Sequence, residues 1–214
     1  MTIGHAPRPD LLEPLLARVG GEHVSEFGAL DDLPADRIPR SAAASERAYP
    51  LTTRLRDGAA VTIDEADLAP LVQHAIDRAE DAGAVVTLLL CAGGFLDTTA
   101  RGTLVRPFDA AVAHLGRLGA RRLAVVVPYA TQVEPSRRKW SAAGFDAAVI
   151  VADPGTLDPT AAAGSDAIVL DYVGHPRDAI NAVRATTAIP VVDLGESGAD
   201  AAVAALAALP GRSV

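Results

Sequence analysis

The sequence has one cysteine, Cys91, and one lysine, Lys139. A single thiol excludes an internal disulfide, a zinc ribbon and a Cys-x-x-Cys redox pair. Lys139 lies in the charged run 137–139, whereas a Schiff-base lysine needs a desolvating pocket, which argues against pyridoxal phosphate chemistry. Gly-Lys-Ser/Thr triplets are absent, and the five histidines lie far apart. The sequence therefore predicts no cofactor and no metal site.

Aromatic residues make up only 4% of the 214 residues, so the core must consist mainly of Ala, Val, Leu and Ile. No apolar run approaches the ~20 residues that span a bilayer, and the first residues lack the pattern of a signal peptide. Acidic residues outnumber basic ones by 27 to 19, a net charge of −8. This charge disfavours binding to nucleic acid or to an anionic membrane. We therefore expect a cytoplasmic protein with neither partner.

Helix and strand patterns alternate along the chain, which indicates an α/β fold with a parallel sheet wrapped by helices. Asp57-Gly58 predicts the turn of a hairpin between strands 50–56 and 59–63. Asp67 is expected to cap the helix that follows. Further strands are predicted at 23–27, 84–90, 123–127, 147–151, 167–170 and 190–193. Further helices are predicted at 11–19, 107–118, 133–143, 177–185 and 199–209.

Two strand ends share one pattern, in residues 86–93 and 167–174. Each buried strand leads to a side chain with reactive potential, then one more residue, then glycine. The repetition suggests two similar α/β halves. Because ligands of open parallel sheets bind beyond the carboxyl ends of the strands, we expect Cys91 and Tyr172 to point towards that edge.

Four motifs together resemble the AroM family: residues 2–8 (Thr-Ile-Gly-x-x-Pro-Arg), 28–31, 51–58 and 89–95 (Leu-Leu-Cys-x-Gly-x-Phe). That family looks similar in fold to the aspartate/glutamate racemase superfamily. The resemblance implies two Rossmann-like halves related by a pseudo-twofold axis, with the active site between them. The first half would cover residues 1–100, with 194–214 crossing back to it, and the second half 101–193. It implies no settled activity.

Two departures from the family pattern matter. The second strand end reads Asp171-Tyr172-Val173-Gly174, so a tyrosine stands where a second cysteine is typical. Met1 directly precedes Thr2, so the first strand is short, or the true start lies upstream. We expect Thr2 and Ile3 to pair with a neighbouring strand for only one or two residues.

Cys91 is the leading catalytic candidate. The amides of Gly93 and Gly94 could approach a substrate carboxylate and stabilise a thiolate, which iodoacetamide would then label quickly. The alternative is a buried structural thiol. Tyr172 is the second catalytic candidate, as an acid rather than a base, because a phenol pKa lies near 10; it could also merely fill space.

The substrate-binding candidates are polar or glycine residues near the predicted strand ends. Arg54 and Arg56 would share one strand face and clamp a carboxylate, unless that face is simply solvated. Arg8 would bind an anion near a helix start, and Thr2 would donate a hydrogen bond there. Three residues complete the set: Pro128, Tyr129 and Gly174.

The leading hypothesis is a cofactor-independent isomerase, decarboxylase or racemase-like enzyme that acts on a small carboxylate through a Cys91 thiolate. The alternative is a protein that binds such a carboxylate without chemistry. The sequence is also compatible with a homodimer. The reactivity of the Cys91 thiol discriminates between the two hypotheses.

Overall fold

The computed structural model describes residues 1–19, 24–40, 49–95 and 97–209. Its helices are α1 Pro9–Val19, α2 Glu65–Asp81, α3 Pro107–Leu118, α4 Val133–Ala142, α5 Arg177–Thr186 and α6 Leu194–Ala207. Its strands are β1 Pro50–Arg54, β2 Ala60–Asp64, β3 Val86–Leu88, β4 Thr103–Val105, β5 Arg122–Val127, β6 Asp146–Val151, β7 Ala167–Leu170 and β8 Val191–Asp193. Short 3₁₀ turns occur at Ala35–Arg37, Ala130–Gln132, Pro154–Thr156 and Pro159–Ala162. The predicted α/β class is confirmed.

Four parallel strands form the larger sheet in the order β6-β5-β7-β8. All four residues of β7 are buried, as expected of a strand covered on both faces. Helices α3, α4 and α5 connect or flank these strands, and Trp140 from α4 is completely buried in the core beneath them. The carboxyl ends of β5 and β7 therefore open onto one edge, where Pro128 and Asp171 follow.

A smaller parallel sheet holds β3 beside β4. Thr2 extends it through isolated bridges to Gly28 and to Leu90. The pairing of the first residues is thus limited to one position, as predicted. The expected strand at 23–27 is wrong where the structure describes it, because residues 24–27 form no regular strand; position 23 lies outside the described residues. The strand at β4 was not predicted, and β3 is shorter than expected.

The hairpin of β1 and β2 forms around Asp57-Gly58 as predicted, with Gly58 at a φ of 83°. This left-handed backbone favours glycine. The strands end earlier than expected, since β1 stops at Arg54. Asp64, rather than Asp67, caps α2 by accepting a hydrogen bond from the amide of Ala66 at 2.9 Å.

The last helix, α6, begins at Leu194 instead of Ala199, because Asp193 caps it by accepting from the Glu196 amide at 2.9 Å. It packs on α1 and α3, and also on β3 and β4. A Cβ at Gly198 would lie 2.9 Å from Pro107 and 3.2 Å from Leu88, so a residue without a side chain permits this close approach. The division of the chain at residue 100 stays a prediction. Among the described residues, none of the helices combines the length and apolarity that a membrane span requires.

Candidate active site

Cys91 lies just beyond β3, after the bridge that joins Leu90 to Thr2. Its side chain is buried, with 5% of the residue exposed. The amide of Gly93 donates to the Cys91 sulfur at 3.3 Å. Thr2 is also buried, and its hydroxyl accepts from the amide of Gly4 at 3.3 Å. The sole thiol thus sits at the carboxyl end of a strand, in contact with a backbone donor.

The loop after Cys91 presents its amides to a carboxylate of the protein itself. Phe95 has a φ of 44°, an uncommon left-handed conformation for a residue with a side chain. Its amide donates to Glu65 Oε1 at 2.6 Å, and the Gly94 amide also bonds this carboxylate. A Cβ at Gly93 would lie 2.7 Å from the Phe95 ring, so the loop needs glycine there. The amides expected to hold a substrate carboxylate are therefore engaged by Glu65 and by the Cys91 sulfur.

Lys139 is buried beside this loop, contrary to the exposure implied by its charged run. Its side chain is 7% exposed. The ammonium donates to Asp171 Oδ1 at 2.7 Å, to the carbonyl of Ala92 at 2.8 Å and to the hydroxyl of Tyr49 at 2.9 Å. All three donors are used, and one of them holds the residue that directly follows Cys91.

Asp171 anchors that ammonium from the end of β7. Its side chain is fully buried, and its Oδ2 accepts from Trp140 Nε1 at 2.9 Å and from the Ser136 hydroxyl. Three residues from α4 therefore converge on one carboxylate. Asp171 thus holds three side chains of α4 in place at the end of β7.

The Cys91 thiol is neutral at pH 7 in this structure. Burial raises its pKa to about 12, and the nearby carboxylates of Glu65 and Asp171 add to the rise. The Gly93 amide and the Lys139 ammonium lower the pKa, but by less than burial raises it. Burial likewise raises the pKa of Glu65 and raises that of Tyr49 well above its usual range. The expected thiolate is replaced by a protonated thiol because desolvation outweighs its two stabilising partners.

Tyr172 directly follows Asp171 at the carboxyl end of β7 and belongs to a second polar group. It is half-buried, and its ring lies 5.1 Å from that of His175. Burial and the nearby Tyr129 raise its pKa, while Arg8 and Arg54 lower it by less. The phenol therefore stays protonated at neutral pH, as expected of an acid rather than a base.

The predicted arginines do not form one clamp. Arg8 binds Asp10 through two hydrogen bonds of 2.8 and 2.7 Å. Arg54 is exposed at the end of β1. Arg56 lies beyond the strand with 66% of its side chain exposed, and its nearest carboxylate oxygen, on Asp31, is 3.8 Å away. The expectation that Arg54 and Arg56 share a strand face is wrong, because the strand ends before the second of them.

The remaining candidates lie in loops after the strands. Pro128 follows β5, and Tyr129 next to it is 43% exposed. Gly174 has a φ of 113°, and a Cβ there would lie 2.6 Å from Leu11. Tyr129 and Gly174 lie near Tyr172. Nothing among the described residues brings three or more His, Cys, Asp or Glu side chains into a metal-binding group.

A family model described as "AroM protein" matches residues 1–205. The chain belongs to the AroM family. A search of curated protein sequences finds no match.

The fold of this AroM-family chain is that of the aspartate/glutamate racemases. The aspartate racemase of Picrophilus torridus is 14% identical, with a TM-score of 0.56, over 96% of this chain and 93% of that one. The maleate isomerase Iso of Pseudomonas putida S16 is 22% identical, with a TM-score of 0.53, over 69% and 74%. An arylmalonate decarboxylase is 21% identical, with a TM-score of 0.53, over 69% and 82%. These likenesses confirm the predicted racemase-like fold, whereas the pseudo-twofold relation of two halves stays a prediction.

Sequence reasoning missed the buried charged residues around the thiol. Glu65 and Lys139 are far from Cys91 in sequence, and only the fold brings them to it. One signal was available for Lys139, since the sole lysine of an arginine-rich chain stands directly beside the sole tryptophan. Asp193 was also missed, although an aspartate between a strand and a helix is a common cap.

Asp193 makes stability depend on pH. The residue is 3% exposed, and burial raises its pKa from the usual 3.8 to about 7. The folded state therefore favours the protonated form, so this contribution is fully present below pH 3.8 and is lost as the pH rises through 7. An Asp193→Asn variant keeps a capping oxygen without the titration. From pH 4 to pH 8 we expect the wild type to lose about 4 kcal/mol of unfolding free energy relative to this variant, measured by urea unfolding. Parallel profiles for the two proteins would contradict this assignment.

Proposed function

We propose that this protein is a cofactor-independent enzyme that transfers a proton to a small carboxylate from the Cys91 thiol. The observation that carries the proposal is the state of the sole cysteine. It lies at a strand end, in a loop of backbone amides, buried and protonated. A protonated thiol is an acid, and a carbanion beside a carboxylate is a base strong enough to take its proton.

Acid chemistry is favoured over base chemistry by the size of the pKa shift. With a pKa of about 12, ionising Cys91 at pH 7 requires roughly 7 kcal/mol. Delivering the proton to a carbanion forms a C–H bond and leaves a thiolate, which the Gly93 amide and the nearby Lys139 ammonium stabilise. Solvent then returns a proton to the sulfur. Decarboxylation fits this acid better than attack by a thiolate does. The C–C bond to the leaving CO₂ breaks, its electron pair stays on the α-carbon, and the thiol proton then forms the C–H bond.

The substrate carboxylate has two candidate partners, the backbone amides of the loop after Cys91 and the side chain of Arg54. The amides of Gly94 and Phe95 bind the carboxylate of Glu65, so a substrate carboxylate would bind them by displacing Glu65. Arg54 lies near Tyr172 and faces solvent, where it can meet an incoming anion. Three of the similar proteins of known structure are named for aspartate, maleate and arylmalonate, which are carboxylates, whereas another is named for allantoin, which is not.

Efficient racemisation is not part of the proposal. A two-base racemase needs a base on one face of the α-carbon and an acid on the other. Tyr172 occupies the second strand end, and burial raises the pKa of its phenol further from neutrality. Protonation is therefore expected on one face of the carbanion that loss of CO₂ leaves, so that the product has one handedness.

The test is turnover of a panel of small mono- and dicarboxylates in D₂O, followed by NMR. We expect deuterium at the α-carbon of at least one product after loss of CO₂, with one handedness. Cys91→Ala is expected to lower the rate by about 10²–10⁴-fold, since that is the usual contribution of a general acid. Ser141→Ala, at an exposed position on α4, is the control and is expected to keep the full rate.

Two outcomes would contradict the proposal. Rapid loss of optical activity from an L-amino acid, abolished by Cys91→Ala, would show a racemase with a second base. Saturable binding of a carboxylate without any loss of CO₂ or uptake of deuterium would show a non-catalytic binding protein. That second candidate is favoured by the burial of Cys91 and by the occupation of its amide loop by Glu65.

A further inference from the structure

A small cavity lies between α1, the loop after β7 and the start of α6. Its volume is about 60 Å³. A buried water needs about 10–15 Å³ by this measure, so the cavity has room for several waters or for a small organic group. Apolar side chains form much of its wall: Leu11, Leu90, Val173, Ile180 and Ala199.

Two buried polar atoms that line this cavity have no hydrogen-bond partner within the described part of the chain. They are Asp193 Oδ2 and His175 Nε2. Asp193 is 3% exposed, and its other oxygen is already used to cap α6. Buried polar atoms are nearly always paired in native proteins, so an unpaired acceptor facing a cavity points to a missing ligand or water.

The carboxylates around the cavity differ in whether they already have a cationic partner. Asp193 is joined by Asp10 from α1 and by Glu196 from α6, so three carboxylates line the space. Asp10 binds Arg8 through two hydrogen bonds, and Glu196 binds Arg18 at 3.2 Å and Arg184 at 2.5 Å. Arg177 on α5 also lines the cavity. Within the described part of the chain, Asp193 is therefore the one of these three carboxylates that has no ion pair, and a cation in the cavity can pair with it.

His175 adds a second acceptor rather than a charge. Burial lowers its pKa to about 4, so the ring is neutral at pH 7 and one of its nitrogens accepts a hydrogen bond. An ammonium group has donors for both open atoms, whereas an ionised carboxylate has none.

We propose that this cavity is a binding site for a small primary ammonium compound, whose N–H groups donate to Asp193 Oδ2 and His175 Nε2. The short apolar chain of such a compound lies against the aliphatic wall. This site does not depend on the proposed chemistry at Cys91, and Cys91→Ala is expected to leave it intact.

The experiment is titration of the full chain with ethylammonium chloride, followed by NMR and thermal shift. Sodium chloride at equal ionic strength and sodium acetate are the comparison ligands. We expect saturable binding of ethylammonium alone. Its affinity is expected to fall about tenfold for each pH unit below 7, because the cation needs the ionised form of Asp193, whose pKa is about 7.

Asp193→Asn removes the charge and is expected to weaken binding at least tenfold. The matched control is Asp158→Asn, because Asp158 also caps a turn, by accepting from the amide of Thr160 at 2.9 Å, but lies on the surface. If Asp193→Asn does not fold, the pH dependence of ethylammonium binding to the unmodified protein still tests the proposal. Three results would overturn the proposal: binding of acetate in place of ethylammonium, an ethylammonium affinity that is independent of pH, or no binding of either ligand. The third result would show that the cavity holds only water.

Discussion

Replacing Lys139 with methionine is expected to lower the free energy of unfolding by about 3–5 kcal/mol, the usual loss when one partner of a buried ion pair is removed. Asp171 would keep its charge in a fully buried position, with only Ser136 and Trp140 as donors. For a chain of 214 residues this loss corresponds to a decrease in Tm of roughly 6–20 °C, measured by calorimetry.

Two further variants isolate the cause. Arg137→Met removes a neighbouring charge whose pair with Glu134 is exposed, so we expect a change within about 0.5 kcal/mol. Adding Asp171→Asn to Lys139→Met removes the stranded charge while keeping an acceptor, and should recover part of the lost stability. A single Lys139→Met variant as stable as the wild type would show that the ammonium contributes nothing to the fold.

Alkylation of Cys91 by iodoacetamide is expected to be slow at pH 7. A pKa of about 12 leaves about 10³-fold less thiolate than a free cysteine has at this pH, and only 5% of the residue is exposed. Because the chain has a single cysteine, the mass of the labelled protein reports this site alone. We expect the rate to rise about tenfold for each pH unit between 7 and 9.

The control for this measurement is the unfolded protein in guanidinium, where Cys91 is solvated and labelling is expected to be at least about 10³-fold faster. A bound carboxylate that sped the native reaction would show that the ligand stabilises the thiolate. Native labelling within tenfold of the unfolded rate would contradict the protonated thiol and restore the thiolate nucleophile first expected from the sequence.

The strands of the larger sheet could be predicted closely because their apolar runs are long and bounded by turns. The strand prediction failed for a short segment that becomes a strand because the fold places it beside another strand, and not because its sequence has a strand pattern. Residues 103–105 form β4 beside β3, although three residues carry too little periodicity to be recognised. The start of α6 was missed because residues 194–198 contain two glycines and two polar residues, while the cap at Asp193 and close packing on Leu88 hold them in a helix.

The position of Cys91 at a strand end could be predicted, but its ionisation state could not. The sequence shows the glycines that can approach the sulfur, and the Gly93 amide does so. It does not show that Glu65 reaches the same loop from α2, or that the site is dry. A pKa depends on burial and on distant charges, and these are properties of the folded chain.

The packing of α6 on β3 and β4 has a consequence for the order of folding. During synthesis the strands at 86–88 and 103–105 leave the ribosome about 90 residues before the helix at 194–207 that covers them. Contacts between such distant segments slow folding, because a long stretch of chain must close before they form. The apolar face of the early sheet therefore stays uncovered until α6 has been synthesised, and during this interval the nascent protein is exposed to aggregation and to chaperones.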